Sequence, residues 1–165
     1  MRRRLRSMAI VLTALGGLLS RPVAQSSQKK ESMNLHATGE FDVTLKPQPA
    51  SDPASPLARM SIDKQFHGDL EGTSEGEMLT ASGSVKGSAG YVAMERVEGK
   101  LKGRAGSFVL QHNATMNRGV PELNIQVVPD SGTGQLEGLT GRMTITITAG
   151  KHFYDFEYTL AKKAD

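Results

Sequence analysis

From His36 to Leu160 the apolar residues return at every second position, and no stretch keeps the three-to-four-residue spacing of an amphipathic helix. A period of two is the signature of a strand with one face turned to a core. Glycine and proline interrupt the alternation, and reading outward from them predicts eight strands: His36–Lys46, Arg59–Glu71, Gly76–Lys86, Gly90–Leu101, Gly106–Asn117, Glu122–Glu137, Arg142–Ala149 and His152–Leu160. The sixth is too long to run unbroken. Leu123, Ile125 and Val127 share one parity and Gly134 and Leu136 the other, so Pro129-Asp130-Ser131-Gly132 is expected to hold a bulge that resets the register. Pro47, Pro49, Pro53 and Pro56 make the connection between the first two strands an irregular loop. An even number of antiparallel strands can close first against last and leave no exposed edge. The expected fold is therefore all-β, a single antiparallel eight-stranded barrel, with a β-sandwich as the alternative.

A near-repeat organises these strands. Gly99, Leu101, Gly103, Gly106, Phe108 and Leu110 recur in spacing as Gly134, Leu136, Gly138, Gly141, Met143 and Ile145, and more loosely as Gly68, Leu70, Gly72, Gly76 and Met78. Each copy reads as a hairpin in which the leucine is the last core-facing side chain and the paired glycines supply positive-φ turn positions. The run Gly132-Thr133-Gly134 has neither the Gly-Lys-Ser/Thr ending nor the following helix of a phosphate-binding loop.

Four runs carry a resemblance. They are Asp63-Lys64-Gln65-Phe66-His67-Gly68-Asp69-Leu70-Glu71-Gly72, Gly87-Ser88-Ala89-Gly90-Tyr91, Gly106-Ser107-Phe108-Val109-Leu110-Gln111-His112 and Val128-Pro129-Asp130-Ser131-Gly132-Thr133-Gly134. Together they closely resemble the bacterial domain-of-unknown-function family 3224 from about Met33 to Leu160. The resemblance implies a fold similar to the allene oxide cyclase barrel. Cyclases of that fold close a ring in an unstable fatty-acid epoxide, but their catalytic motif has no match in this sequence. The likeness implies a fold and carries no reaction across.

Composition alters the picture at the N-terminus. The isoelectric point is about 9.3, yet seven of the 20 basic residues precede Met33 against one of the 17 acidic ones, which leaves 13 basic and 16 acidic residues from Met33 onward. The barrel is thus mildly acidic, with no electrostatic footprint for nucleic acid. Arg2 to Arg6, the apolar run Met8 to Leu19 and Pro22-Val23-Ala24 read as an export signal over residues 1–24, followed by a flexible polar segment over 25–35 and the barrel over 36–161. That reading places the protein in the periplasm or outside the cell. The alternative start at Met33, where members of the resembled family typically begin, would leave it in the cytoplasm. The apolar run is short for a bilayer, so no stable membrane span is expected. The chain has no cysteine, which excludes disulfides and thiol catalysis.

Parity then selects the interior. In the central hairpin Leu101 is expected opposite Phe108, Val97 opposite His112 and Glu95 opposite Ala114. Tyr91, Ala93, Glu95, Val97, Leu110, His112 and Met116 would point inward, with Glu95 and His112 as diagonal neighbours about 7–8 Å apart. The same count turns Lys64 inward near Thr80 and Ser82, and a turn at Gly150-Lys151 turns Tyr154 and Tyr158 inward. An apolar cavity with Lys64, Tyr91, Glu95, His112, Tyr154 and Tyr158 converging on it would suit a small apolar or amphipathic ligand and needs no cofactor. The same residues could instead satisfy one another in a filled core. A carboxylate beside an imidazole also fits an isomerase or cyclase, with Glu95 and His112 as the catalytic acid and base. A third reading is a structural homo-oligomer assembled through an outer face such as Val92 and Met94. His67, Asp69 and Glu71 alternate as metal ligands can, but their parity faces solvent, and no metal is expected.

Overall fold

A computed structural model describes residues 34–49, 52 and 54–160, and the expected export signal lies outside them. The order is β1 (Leu35–Gln48), β2 (Leu57–Gly68), β3 (Leu70–Ser82), β4 (Ala89–Leu101), β5 (Arg104–Asn117), β6 (Val120–Val127), a 3-10 turn (Gly134–Leu136), β7 (Thr140–Thr148) and β8 (Lys151–Thr159). Each strand pairs antiparallel with the next, and β8 returns to β1, where Leu35 faces Tyr158 and Phe41 faces His152. The sheet closes into a barrel, not a sandwich. β1 starts at Leu35, inside the segment expected to be linker. Among the described residues no helix is long and apolar enough to cross a membrane.

Three reversals are two-residue turns with positive φ at both positions: Lys102-Gly103, Arg118-Gly119 and Ala149-Gly150. This geometry matches the right-handed twist of the flanking strands, and glycine fills its second position without steric cost. The turns are tighter than the sequence pattern suggested. Leu101 pairs with Arg104 and Val97 with Phe108, four residues away from the expected register. The last hairpin turns at Ala149-Gly150 instead of Gly150-Lys151. The first reverses at Gly68-Asp69-Leu70, so Lys64 stands opposite Ser74 and away from Thr80 and Ser82.

Gly103 keeps its turn, but Gly76, Gly106 and Gly141, which end the expected turn in each copy of the repeat, are strand residues, and so is Gly72. Gly72 faces Gly99, and a Cβ on Gly72 would lie 2.8 Å from the Gly99 Cα. Such close backbone approach leaves no room for a side chain. The long sixth strand breaks at Pro129–Gly132 as expected, but no bulge carries it on to Glu137. β6 ends at Val127, and Val128–Thr133 runs on as an irregular cover for β5, where Thr133 N donates to Ser107 O and Val109 N donates to Ser131 Oγ. This loop brings Leu136 and Leu139 into the core.

The inward positions are not equally buried. Along β5 exposure climbs from 0% at Leu110 through 3% at His112 and 9% at Ala114 to 42% at Met116. The same gradient ends at Leu45 on β1, Leu123 on β6 and, at 64% exposure, Ile147 on β7. One half of the barrel is filled by a cluster that includes Phe66, Leu101, Phe108, Tyr154, Phe156 and Tyr158. The other half is an open cup. Its wall is weakest between β6 and β7, which share only the pairs Ile125–Met143 and Gln126–Arg142.

Candidate functional site

The cup encloses about 570 Å³. An eight-stranded barrel is wide enough either to fill itself or to hold one small ligand, and this one does both at opposite ends. Phe41, Val43 and Leu45 from β1, Ile62 and Met78 from β2 and β3, and Leu123 and Ile145 across the barrel make the walls apolar. Tyr91, Thr80 and His152 add polar groups to them.

The floor is ionic. Strand alternation sends Lys64, Ser74, Glu95 and His112 inward from four consecutive strands, and all four are buried. Lys64 Nζ donates to Glu95 Oε2 at 2.7 Å. His112 Nε2 lies 2.9 Å from the same oxygen. The approach is close but badly aligned, so Nε2 has no well-directed hydrogen bond and the contact is mainly electrostatic. Ser74 Oγ donates to Oε1 in a very short contact. The Lys64 ammonium also sits 4.8 Å from the Phe41 ring centre, a cation–π distance. Lys64 and His112 face the cavity, whereas Glu95 is wholly enclosed behind them.

Burial by itself would raise the Glu95 carboxyl. The close His112 ring, the charge and hydrogen bond of Lys64 and the Ser74 hydroxyl overcome it and bring the carboxyl down to about 2. Glu95 is thus an ionised acceptor throughout the neutral range and is unsuited to giving up a proton there. Burial, reinforced by the negative charge of Glu95, holds the Tyr91 hydroxyl above its usual range.

The residues expected at the site divide between the two halves. Lys64, Tyr91, Glu95 and His112 meet at or beneath the cup, while Tyr154 and Tyr158 lie in the filled half. The Tyr154 hydroxyl accepts from Leu70 N at 2.8 Å and donates to His67 O at 3.2 Å, which ties β8 to the first hairpin. Burial holds the hydroxyl above its usual ionisation range, against the opposing pull of the Leu70 hydrogen bond. Tyr158 packs 5.2 Å from Phe156, its hydroxyl buried with no hydrogen-bond partner among the described residues. Ser74 was missed because the glycine pattern placed it in a turn. Only the true reversal at Gly68-Asp69-Leu70 sets it beside Lys64. Outside the barrel His67 meets Asp42 at 3.2 Å and Asp69 meets Lys102 at 3.3 Å, so these side chains are spent on surface ion pairs.

No curated protein matches the chain. A crystal structure of a protein of unknown function from Shewanella oneidensis MR-1, itself from the DUF3224 family, is 50% identical to it. The match covers 79% of this chain and 100% of that one, with a TM-score of 0.74. Residues 37–158 match the profile described as "Protein of unknown function (DUF3224)", a span that runs from β1 into β8 and takes in the whole ionic floor, and the chain belongs to that family.

Proposed function

We propose that the open half of the barrel binds one small, mainly apolar molecule. The observation that carries this reading is the exposure of side chains whose parity assigns them to the interior: Leu45, Met116, Leu123 and Ile147 point inward and are still 40–64% exposed. A barrel that served only as scaffold would gain by closing over them, at about 25 cal/mol for each Å² of apolar surface removed from water. The filled core at the other end indicates that the sequence can close a barrel where closure is useful.

The neutral fluorophore N-phenyl-1-naphthylamine tests the idea, because its emission rises on leaving water. Wild-type protein should bind it with saturation. Ala114 lines the cup and is only 9% exposed. Ala114→Phe fills the cup, leaves Lys64, Ser74, Glu95 and His112 in place and should weaken binding at least tenfold. No saturable signal from the wild type, or equal affinity in Ala114→Phe, would refute the proposal.

Acid–base catalysis in the same cup would need a division of labour different from a Glu95–His112 acid and base. With Glu95 ionised and held on both oxygens, proton transfer would fall to His112 and Glu95 would only orient it. The oligomer reading retains one feature, the exposed outer pair Leu79 and Val92 on β3 and β4 with Met94 beside them.

A further inference from the structure

The floor is unbalanced in its hydrogen bonding, and the imbalance selects a ligand. The Lys64 ammonium carries three protons. Among the described residues the one acceptor it meets is Glu95 Oε2. Its remaining neighbours are the ring faces of Phe41 and Phe66, at 4.8 and 5.6 Å, which attract the charge but accept no ordinary hydrogen bond. The side chain is 5% exposed, so bulk water is not freely at hand. The matching acceptor, Glu95, has its oxygens turned to Lys64, His112 and Ser74 and is sealed from the cavity. A molecule that reaches the floor therefore meets spare donors and no spare carboxylate, the other carboxylate of the lining being the exposed Glu122 on β6.

Building on the binding role argued above, we propose that the ligand lies head-down, its apolar body against the walls and an oxygen acceptor, carbonyl or carboxylate, on the inserted end bonded to Lys64 Nζ. A cationic or donor-only head is excluded by the same arrangement: it would be repelled by Lys64 and shut off from Glu95. The two oxygen heads differ in charge balance. Lys64 and Glu95 cancel, so an uncharged carbonyl adds no net charge to the buried cluster. A carboxylate adds one negative charge to it.

Displacement of N-phenyl-1-naphthylamine by 2-decanone, decanoate and decylammonium, which share a chain length and differ in the head, tests this at neutral pH. At least one oxygen-headed compound should displace the fluorophore at a concentration tenfold or more below that needed for decylammonium. Whichever of 2-decanone and decanoate displaces the fluorophore at the lower concentration identifies the head. Lys64→Met alone strands the Glu95 charge and threatens folding, so the variant used is Lys64→Met/Glu95→Gln, which removes both charges together. In it the fluorophore should still bind and the advantage of the oxygen heads should vanish. Equal displacement by decylammonium, or an advantage that persists in the double variant, would overturn the assignment while leaving the cup a binding site. Failure of the wild type to bind the fluorophore at all would overturn both.

Discussion

Replacing Lys64 by methionine keeps most of the side chain's length and removes its charge, which leaves Glu95 ionised, fully buried and short of its main partner. At 2.7 Å and an effective dielectric constant of about 20, the direct attraction between the two charges is about 6 kcal/mol. Part of that offsets the desolvation of both groups, and breaking a buried pair from one side typically costs about 3–5 kcal/mol. Ser74 and His112 continue to hold the carboxylate, so the lower figure, about 3 kcal/mol, is expected for Lys64→Met, and a similar loss for Glu95→Gln, which strands the ammonium. Lys64→Met/Glu95→Gln leaves no buried charge pair to compensate and should lie within about 1–2 kcal/mol of wild type. The three variants and wild type form a cycle with a coupling of about 4 kcal/mol. Urea unfolding followed by far-ultraviolet circular dichroism reads it, since the chain has no tryptophan to report by fluorescence. A domain stable by about 5–15 kcal/mol survives each change well enough for measurement. If the double variant loses as much as the two single variants together, the residues do not act as a unit and the ionic floor is misread.

Acid should expose the same cluster. The Glu95 carboxyl falls from 4.5 to about 2 on folding, a difference of about 3 kcal/mol that is fully present above pH 4.5 and lost as pH falls through about 2. Urea midpoints of wild type should therefore drop more steeply over that window than those of Glu95→Gln, and parallel acid limbs would contradict the assignment. Tyr154→Phe removes both hydrogen bonds of the hydroxyl and should cost about 1–3 kcal/mol in the same unfolding assay, with fluorophore binding unchanged; a loss of binding without a loss of stability would move Tyr154 into the site. Gly72→Ala forces a Cβ against the backbone of Glu98 and Gly99 and should cost about 2–4 kcal/mol, so a thermal midpoint equal to wild type would show that the close strand approach is misjudged. Amide exchange should be faster at Val120–Asn124 and Thr144–Thr148, which flank the unpaired stretch between β6 and β7, than along the fully paired β4 and β5. Uniform protection around the barrel would close that seam.

The candidate site was legible to the extent that it depends on facing. Glu95 and His112 were expected as diagonal neighbours by pairing Glu95 with Ala114; they are diagonal neighbours although Glu95 pairs with Leu110. The turn lies two residues earlier than the glycine pattern places it, which shifts the register by four, and an even displacement slides a strand without rolling it over. Lys64 kept its inward direction through a larger even error, while Ser74, read as part of a turn, had no facing to keep. The division of the tyrosines had no counterpart in the sequence. Tyr91 and Tyr154 satisfy the same alternation, and nothing local says that one reaches a cup and the other a packed core.

Sequence alone determined which side chains enter the barrel, because a strand alternates its faces with a period of two and the apolar residues mark one of them. Register, the end left unfilled and the union of Lys64, Ser74, Glu95 and His112 around one charge were decided by tertiary structure. Several glycines in each repeat could have supplied a turn, and the choice among them depended on how closely backbones such as those of Gly72 and Gly99 pass, a distance that exists only once β3 and β4 are paired.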